Sequence, residues 1–596
     1  MRDVAIISLG NIPSIARALF EGTNFEHLSG KQIADALASS AGKPVTIGHV
    51  TFKEFTAAQQ DHDSIYAILS TEPSNTADAE EFHSLELATV ALHLRFLPAS
   101  ANRASRRPWL EDTPRRALVS LADGSRYLLT ELSSNHMGTG LPARLPQSTF
   151  PWRSTKLFPI AAADQAELLS LLTQLEQRLT ASTDFDELSR QWHTTYQSDA
   201  VFGLALVARD PSGLSKEIES MRRGLPQAFA TGGDVKTPAG SYFAANPLGK
   251  EGVAFVYPGV GSPYLGIGSD LFALAPQLLH QFEEVSQHQA ARYLHVDEIY
   301  PRQKSDESSF YRDIVGVGEV AISTALLFTM MLRDVFMVRP NNAMGYSFGE
   351  PMMLAALGVW PEPARLTEHL DTSPTFRTRL HGPMDAIRAH WGLPEGEPVR
   401  WKSYTVRATM LEAFEAIKTE TRVYVSVINT PEEVVLGGEP EACQRVLAKL
   451  GPAIEIPVNL TIHCNAVHGE RAEFAKIHDL TTVAVPGIDF FSSATYAPLE
   501  LRRDLLSQAI ADAYCKIVDF PRLVRKVHAN GARVFLEMGG RRNCCTWIEK
   551  ILKGKPHVTV PCDSKGMGNE VGILRAVARL VAHRVPMSLT ALYKSD

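Results

Sequence analysis

Apolar runs of strand length alternate with longer segments of helical spacing through most of this chain. The runs Leu157–Ile160, Phe202–Val207 and Gly252–Tyr257 have the continuous apolar character of buried strands. The longest apolar stretch, Val320–Leu332, ends at Arg333 and is too short to span a bilayer, so it predicts a buried helix. Strands that alternate with helices favour an α/β fold built on a parallel sheet.

Two loop-like segments divide the chain into three predicted parts. Prolines lie close together within Gly140–Trp152, and glycine and polar residues within Thr231–Lys250 suggest a linker. We therefore expect a first region at 1–150, a small α/β module at 151–245 and a main domain at 246–595.

Within the main domain, two strand-like runs, a helix and a further strand predict an inserted small subdomain at about 404–465. These four elements are Val423–Val427, Val434–Gly438, Pro440–Leu450 and Ile454–Val458. No internal repeat and no low-complexity segment stands out along the chain.

The composition is that of a large soluble protein. With 596 residues, 45% of them hydrophobic and 21% charged, the chain can bury several cores and is expected to hold three or four domains or subdomains. The formal net charge of -7 argues against a nucleic-acid-binding surface, and no long run of Lys or Arg indicates an anionic membrane partner. Small molecules or proteins are the expected partners.

The cysteines and the N-terminal residues indicate in which cellular compartment the protein is expected. All six cysteines lie in the C-terminal part without CxxC spacing, so neither a disulfide framework nor a zinc site is indicated and reduced thiols are expected. The segment Met1–Ile7 lacks the layout of a signal peptide and predicts a first strand. A cytoplasmic location is therefore expected.

The segment Gly345-Tyr346-Ser347-Phe348-Gly349 carries the clearest chemistry, because it lies between an apolar run and a helix-like segment. A Gly-x-Ser-x-Gly at a strand-to-helix turn is a nucleophile elbow, in which the glycines tolerate the cramped backbone and the serine oxygen projects from the corner. Lipases, esterases and acyltransferases share such an elbow, so the segment predicts acyl chemistry on a serine.

Four ordered segments of the main domain carry a family likeness. They are Phe255–Ser262, the elbow at Ser347, Ile462-His463-Cys464, and Phe535–Gly540. In this order and spacing, residues 251 to 593 resemble the malonyl-CoA:acyl-carrier-protein transacylase domain of fatty acid and polyketide synthases. The resemblance implies a transacylase-type, α/β-hydrolase-like core with an inserted ferredoxin-like subdomain.

The upstream residues resemble other parts of such synthases. The segments Leu94–Asn102, Arg107–Leu110 and Pro114–Ser120 are similar to the C-terminal end of a ketosynthase, and 156–224 is similar to the linker module between ketosynthase and acyltransferase. Residues 1–442 contain no cysteine, so the nucleophile of a working ketosynthase is missing. A degenerate ketosynthase-like region with a structural or docking role is expected.

Four further segments are similar to the stand-alone acyltransferase subunit of bacterial polyunsaturated fatty acid synthases. They are Gly345-Tyr346-Ser347 in place of the commoner Gly-His-Ser, Ala356–Trp360, Arg379–Pro383 and Arg542–Ile548. This resemblance implies transfer of an acyl group in polyketide-type synthesis of polyunsaturated fatty acids.

The resemblance also implies roles for individual residues. Ser347 is the expected nucleophile, and His463 is the expected base that takes its proton and returns it to the leaving thiol. The backbone amides of Val260 and Phe348 are expected to form the oxyanion hole. Asn543, or the preceding arginine, is expected to orient the imidazole through a carbonyl after the Gly-Gly segment.

Three other residues lie near these positions in the sequence. His468 is a weaker candidate for the base, and both Asn429 and Cys464 fit structural roles as well as functional ones.

The acyl pocket is expected to involve Thr372, Gly318 and Tyr346. Malonyl-specific members of the family bind the malonyl carboxylate with an arginine 25 residues after the serine, and this chain has Thr372 there. A non-carboxylated acyl group is therefore favoured, although malonyl stays open because Arg377 or Arg379 could replace the missing arginine.

These inferences predict a ping-pong acyltransferase that loads Ser347 from acyl-CoA or acyl carrier protein and unloads it to a phosphopantetheine thiol. Acyl-CoA and phosphopantetheinyl acyl carrier protein are then substrates, no bound metal or redox cofactor is implied, and carrier-protein domains and other synthase subunits are partners. Two alternatives stay open: a thioesterase that admits water to the same acyl-serine, and a non-catalytic docking subunit.

Overall fold

The computed structural model describes residues 155–593, except 198, 276, 288, 296–298 and 301–306. In the first 150 residues it describes the segments 4–9, 29–39, 43–47, 50–54, 57–58, 67–70, 79–94, 96–97, 107–108 and 115–130. The predicted boundary loop Gly140–Trp152 lies outside the described residues, as do residues 95, 98–102, 109–110 and 114 of the ketosynthase-like segments.

The described N-terminal segments form a mostly antiparallel sheet with two helices. Its elements are β1 (Val4–Leu9), α1 (Gly30–Ser39), β2 (Val45–Ile47), β3 (Val50–Glu54), β4 (Ala67–Ser70), β5 (Glu80–Phe82), α2 (Leu85–Leu94), β6 (Phe96–Leu97), β7 (Arg107–Pro108), β8 (Arg116–Ser120) and β9 (Arg126–Thr130). Among these residues the sheet order is β2-β3-β1-β4-β9-β8-β5, with β6 and β7 paired separately. The sheet and α2 share a core of their own.

The next module is a four-stranded antiparallel sheet covered by helices. Its elements are β10 (Lys156–Ala162), α3 (Gln165–Ala181), α4 (Phe185–His193), β11 (Phe202–Ala208), α5 (Pro211–Thr231), β12 (Asp234–Lys236) and β13 (Tyr242–Ala244). The sheet order is β10-β11-β13-β12. The interpretation of Thr231–Lys250 as a linker is wrong, because β12 and β13 within it pair with each other and β13 pairs with β11.

The main domain is built on a five-stranded parallel sheet. Its strands are β14 (Gly252–Tyr257), β15 (Asn342–Gly345), β20 (Asp489–Phe491), β22 (Ala532–Glu537) and β23 (Val558–Pro561), in the order β20-β15-β14-β22-β23. Every named pairing in this sheet is parallel, as expected for continuous apolar strands covered on both faces.

Helices surround this sheet and connect its strands. They are α6 (Leu271–Leu274), α7 (Gln277–Val285), α8 (Ala290–Tyr293), α9 (Glu307–Phe310), α10 (Ile314–Met330), α11 (Gly349–Ala356), α12 (Ala364–Thr372), α13 (Asp385–Trp391), α16 (Arg471–Ile477), α17 (Arg503–Cys515), α18 (Phe520–Ala529), α19 (Asn543–Ile551) and α20 (Asn569–Ala582). Single π-helical turns follow α10 and α12, at Met331–Val335 and Thr375–Arg379. Short 3₁₀ turns lie at Asn465–Glu470 and Thr590–Leu592.

Helix α10 lies in the middle of the main core. Together with its π-helical turn, the segment Ile314–Val335 is long and apolar enough to cross a membrane, but its whole apolar window is buried inside the protein. It is therefore the buried helix that the apolar stretch predicts, enclosed by α7, α11 and α12.

An inserted subdomain interrupts the main domain between α13 and the 3₁₀ turn at Asn465–Glu470. It comprises β16 (Lys402–Val406), α14 (Met410–Ile417), β17 (Val423–Thr430), β18 (Glu433–Gly438), α15 (Pro440–Leu450) and β19 (Ala453–Glu455), in the sheet order β19-β16-β18-β17. A strand of the main domain, β21 (Val518–Asp519), adds to β17 in parallel. The main sheet is thus linked to a second, mixed sheet.

The register of the parallel strands brings three loops to one edge of the main sheet. Tyr257 at the end of β14 pairs with Gly345 at the end of β15, and Val256 pairs with Glu537 at the end of β22. The chain leaves all three strands at their carboxyl ends, which is the edge where parallel sheets bind ligands.

Candidate active site

Ser347 lies at the sharp turn between β15 and α11. Its φ of 58° is in the left-handed region, which a residue other than glycine rarely adopts. A Cβ on Gly345 would lie 2.1 Å from the carbonyl carbon of Gly349, and a Cβ on Gly349 would lie 2.1 Å from the carbonyl oxygen of Tyr257. Both glycines are therefore required by close backbone approach, while the serine carries the strain.

His463 reaches the serine from the segment that returns from the inserted subdomain. Its Nε2 lies 2.7 Å from the Oγ of Ser347, and its Nδ1 lies 2.9 Å from the carbonyl oxygen of Ala513. The backbone N–H of His463 donates to the carbonyl of Tyr514, so the end of α17 holds both the ring and its backbone. A carbonyl only accepts, so Nδ1 carries the proton and Nε2 is free to accept from the serine.

Burial lowers the pKa of His463 from its ordinary value of 6.5 to about 4. The cause is desolvation of the imidazolium form, since the side chain is 1% exposed. The ring is therefore neutral near pH 7, and the lone pair of its Nε2 is directed at Ser347. His468 does not compete for this role, because its Nε2 lies 3.1 Å from the carbonyl oxygen of Cys515.

The expectation that Asn543 orients the histidine is wrong, because the acceptor is the carbonyl of Ala513. Asn543 is the first residue of α19, whose next two amides, those of Cys544 and Cys545, donate to the buried carboxylate of Glu537 at 3.1 and 2.8 Å. Glu537 thus fixes the start of α19 and the chain after the Gly-Gly segment. No sequence signal marks an alanine carbonyl in a helical turn as the orienting group.

The two predicted oxyanion donors lie beside the serine. Val260 and Phe348 both line the cleft that contains Ser347. Within the described part of the chain, neither backbone N–H has a hydrogen-bond partner. Val260 is brought there by the alignment of β14 with β15, so the two amides are free donors next to Ser347.

The cleft around Ser347 is apolar apart from the serine itself. Its empty volume, including the part open to solvent, is ≈ 380 Å³. It is lined by Val260, Ile314, Val315, Gly318, Ser347, Phe348, Leu370, Phe376, Leu460 and Ile462. Of the predicted pocket residues, Gly318 lies in its wall, where an added Cβ would lie 3.5 Å from the ring of Phe348.

The structure places Thr372 outside this cleft, so its prediction as a pocket residue is wrong. Thr372 is the last residue of α12, is exposed, and donates its hydroxyl to the carbonyl of Glu368 at 2.8 Å. The helix presents Leu370 to the cleft instead, because two residues along a helix separate opposite faces. Counting residues from the serine fixes the position in the chain but not the face of the helix.

Tyr346 also lies outside the cleft lining, which corrects its assignment to the acyl pocket. Its hydroxyl donates to the Oδ1 of Asn429 at 2.8 Å, and its ring packs against Phe520 and Trp547. Asn429 in turn donates to Glu433 at 3.1 Å, which also accepts from the indole of Trp547 at 2.9 Å. Tyr346 therefore ties the elbow to the inserted subdomain.

Two arginines that could replace the arginine absent at position 372 each bind a different acidic side chain. Arg377 forms an ion pair with Asp371, and Arg379 binds Glu470 through two hydrogen bonds of 2.6 and 2.5 Å. Neither lines the cleft.

Sequence reasoning missed the apolar cleft walls and one buried acid. Glu350, three residues after Ser347, accepts from the backbone N–H and hydroxyl of Ser493 at 3.0 and 2.9 Å, and burial raises its pKa. It links the first turn of α11 to the chain after β20. The sequence does contain a signal for this residue, because Glu350 is an acidic residue within an otherwise apolar helix directly after the elbow.

The fold and the site define a class of protein. The acyltransferase domain from module 8 of the salinomycin polyketide synthase matches with a TM-score of 0.60 at 19% identity, covering 74% of this chain and 98% of that one. The chain therefore has the α/β fold of polyketide-synthase acyltransferase domains, with mixed sheets around the parallel core. No family model matches the sequence.

Two sequence relatives narrow the class. The chain is 26% identical over 577 residues, 86% of its length, to one component protein of the polyunsaturated fatty acid synthase of Thraustochytrium sp. (strain ATCC 26185 / S-3), and it spans 28% of that protein. It is also 20% identical over 306 residues, 50% of its length, to 90% of the malonyl CoA-acyl carrier protein transacylase of Bacillus subtilis (strain 168). The resemblance to the acyltransferase proteins of polyunsaturated fatty acid synthases is confirmed.

Proposed function

We propose that this chain is an acyltransferase that moves a non-carboxylated acyl group between thioesters through an acyl-Ser347 intermediate. The observation that supports it most directly is the 2.7 Å contact between Ser347 Oγ and His463 Nε2, with Nδ1–H held by the carbonyl of Ala513. This arrangement supplies a nucleophile, a neutral base and a fixed tautomer.

In the first half-reaction the Oγ of Ser347 attacks the thioester carbonyl carbon while its proton passes to Nε2 of His463. The carbonyl oxygen becomes an oxyanion beside the amides of Val260 and Phe348, each donor contributing about 3 to 4 kcal/mol by analogy with other enzymes. Collapse of this intermediate breaks the C–S bond, and the leaving thiolate takes the proton from Nε2. The products are the acyl-serine ester, a free thiol and neutral His463.

The second half-reaction is the reverse with a different thiol. A phosphopantetheine thiol gives its proton to Nε2 and attacks the ester carbonyl. The C–O bond to Ser347 then breaks, and the serine oxygen recovers the proton from His463. No metal or redox cofactor takes part in these steps.

The cleft chemistry supports a non-carboxylated acyl group. Among the described residues that line it, none is charged, and Ser347 is the one polar side chain. An ionised carboxylate placed there would lose its hydration without gaining a partner, which is strongly unfavourable. A hydrocarbon chain would gain from burial against the same walls.

The wider setting follows from the resemblance. We propose that the reaction belongs to polyketide-type synthesis of polyunsaturated fatty acids in the cytoplasm, with acyl carrier protein and other synthase subunits as partners. The inserted subdomain, whose elements run β-α-β-β-α-β, is proposed to be ferredoxin-like. Residues 1–150 are proposed to be a degenerate ketosynthase-like region, 151–245 its linker-like module and 246–595 the acyltransferase domain.

The test is covalent loading followed by intact mass. The protein is incubated with labelled acetyl-, malonyl- and long-chain acyl-CoA, and holo acyl carrier protein is then added. We expect an adduct with a non-carboxylated donor that is absent in Ser347→Ala and that passes to the carrier protein.

Other outcomes select the alternatives. Release of the adduct as free acid, with the carrier protein unloaded, would make the chain a thioesterase. No adduct with any donor would leave a non-catalytic docking subunit and would overturn the proposal.

A further inference from the structure

Asp563 is a buried acid at the same edge of the main sheet as Ser347, but outside its cleft. It follows β23 by two residues and is 2% exposed. The hydroxyl of Tyr264 donates to its carboxylate, with the phenol oxygen 3.0 and 2.8 Å from Oδ1 and Oδ2. The backbone N–H of Arg541 donates to Oδ2 at 3.2 Å, and the Nδ2 of Asn569 donates to Oδ1 at 3.2 Å. One carboxylate thus joins the chain after β14, the chain after β22 and the chain after β23.

Tyr264 connects Asp563 to the proposed oxyanion donor, the N–H of Val260. It lies four residues after Val260 in the chain that leaves β14, and it is 6% exposed. The backbone N–H of Ser262 donates to the carbonyl of Gly259 at 3.0 Å, so Val260 lies within a closed turn. Because such a turn moves as a unit, the position of Tyr264 affects that of the Val260 amide.

Few other hydrogen bonds fix this turn. From 259 to 264, two hydrogen bonds lead to other segments within the described part of the chain. One is the bond from Tyr264 to Asp563, and the other runs from the hydroxyl of Tyr311 to the carbonyl of Pro263 at 2.7 Å. The N–H of Val260 has no partner among these residues, so its neighbours must hold it in place.

The Gly-Gly segment after β22 supports the same turn. A Cβ on Gly540 would lie 2.5 Å from the carbonyl oxygen of Ser262, so the two segments touch backbone to backbone. Arg541 follows with a φ of 70°, and its N–H donates to Asp563. Its guanidinium donates to the hydroxyl of Tyr311 at 3.0 Å. Both hydrogen bonds that anchor the turn therefore connect to the chain that Asp563 holds.

We propose that Asp563 is a positioning residue for acyl transfer, which holds the N–H of Val260 at the thioester oxygen through its hydrogen bonds to Tyr264 and Arg541. This inference rests on the proposed function, in which the Val260 amide stabilises the oxyanion. Such a donor must lie about 2.7 to 3.1 Å from the oxyanion. A misplacement of about 1 Å can lower the rate about 10²-fold. Asp563 does not line the cleft, so it acts through the turn rather than on the acyl group.

The experiment measures loading of Ser347 from acetyl-CoA in the full chain, by quenching and intact mass. We expect Tyr264→Phe and Asp563→Ala to lower kcat about 10- to 100-fold and to leave KM within about threefold, because the amide acts on the oxyanion rather than on the bound donor. Tyr593→Phe is the matched control, since it also removes a buried hydroxyl, one that donates to the carbonyl of Leu157 in β10. Tyr264→Phe decides the test if Asp563→Ala fails to fold.

The conservative variant Asp563→Asn should keep most of the rate. Its amide oxygen can accept from Tyr264 and from the N–H of Arg541, and its NH₂ can donate to the side-chain oxygen of Asn569 once that amide turns over. We expect kcat within about threefold of the unchanged protein. Recovery by an uncharged acceptor would support hydrogen bonds, rather than charge, as the means by which position 563 holds the turn.

A dithioester donor separates positioning from a general loss of structure. The thiocarbonyl sulfur of acetyldithio-CoA accepts hydrogen bonds weakly, so its transfer gains little from the Val260 amide. We expect Tyr264→Phe to lower the rate with acetyl-CoA at least about fivefold more than the rate with acetyldithio-CoA. Tyr593→Phe should leave the ratio of the two rates within about twofold, a difference worth less than about 0.5 kcal/mol.

The outcomes separate this inference from the proposed function. No adduct with acetyl-CoA or with any other donor would overturn the proposed function and the inference with it. Unchanged loading in Tyr264→Phe and Asp563→Ala, or a loss in Tyr264→Phe that is equal for the two donors, would overturn the role of Asp563 while leaving acyl transfer in place.

Discussion

The carbonyl oxygen of Ala513 lies 2.9 Å from Nδ1 of His463, and this contact decides which ring nitrogen faces Ser347. With the proton held at Nδ1, the lone pair of Nε2 is directed at Ser347. Within the described residues no carboxylate contacts the ring, so the site is a serine–histidine dyad oriented by a peptide dipole.

Removal of the base tests the dyad directly. We expect His463→Ala to lower kcat/KM for loading of Ser347 by about 10²- to 10⁴-fold, the range typical of a general base. The matched control is His468→Ala, because His468 is exposed and its ring contacts the carbonyl of Cys515. Equal losses in the two variants, measured by quenched loading and intact mass, would contradict the assignment.

The pH profile of loading should reflect the low pKa of His463. The base must be neutral to accept the serine proton, and burial lowers its pKa from 6.5 to about 4. We therefore expect kcat/KM to stay level as the pH falls through 6.5 and to decline only as the pH approaches about 4. A decline centred at 6.5, in protein shown to remain folded, would mean that the ring is solvated.

Substitutions on α12 test which position controls carboxylate selectivity. Leu370 lines the cleft, whereas Thr372 is exposed and outside it. We expect Leu370→Arg to raise the malonyl-to-acetyl loading ratio, because an arginine there can pair with the malonyl carboxylate. Thr372→Arg is its control and should leave the ratio within about twofold, a difference worth less than about 0.5 kcal/mol.

A malonyl-to-acetyl loading ratio that rises in Thr372→Arg but not in Leu370→Arg would show that α12 presents its other face to the acyl group. Loading ratios measured with both donors in one competition reaction would remove differences in protein concentration.

Acid should destabilise the protein through its buried histidines. Burial lowers the pKa values of His463, His478 and His583 from 6.5 to about 4. The unfolded chain therefore binds more protons than the folded one between these values, and stability falls as the pH drops from 6.5 towards 4, by up to about 1.4 kcal/mol per pH unit for each histidine.

His583 is the most informative of the three, because neither ring nitrogen has a hydrogen-bond partner among the described residues. Between pH 6.5 and 4, the free energy of unfolding should depend less steeply on pH in His583→Phe than in the unchanged protein. We expect the slope to fall by up to about 1.4 kcal/mol per pH unit, the contribution of one proton, as measured by urea unfolding at several pH values. His280→Gln, at an exposed site, serves as the control. An unchanged slope in His583→Phe would contradict a buried neutral imidazole.

The contact between Tyr346 and Asn429 should contribute to stability rather than to acyl selectivity. We expect Tyr346→Phe to lower the free energy of unfolding by about 1 kcal/mol, because the hydroxyl that donates to Asn429 is lost. A double-mutant cycle with Asn429→Ala should give a coupling of about 0.5 to 1.5 kcal/mol. Strictly additive effects, or a changed ratio between acyl donors, would contradict this structural role.

Local sequence was sufficient for the elements whose signal lies within a few residues. The apolar runs at β14 and α10, and the glycines around Ser347, each reflect burial or close backbone approach that local residues determine. The linker interpretation of Thr231–Lys250 was wrong because β12 and β13 are short strands, and their pairing with β11 depends on a partner distant in sequence.

The sequence by itself determined the nucleophile elbow, the identity of a candidate base and the resemblance to synthase acyltransferases. These depend on residue types and their order. Only the tertiary structure decided that Ala513 orients His463, that Leu370 rather than Thr372 faces the cleft, and that Tyr346 contacts the inserted subdomain. The physical reason is that a backbone carbonyl is common to every residue, and that the face a helix presents depends on what packs against it.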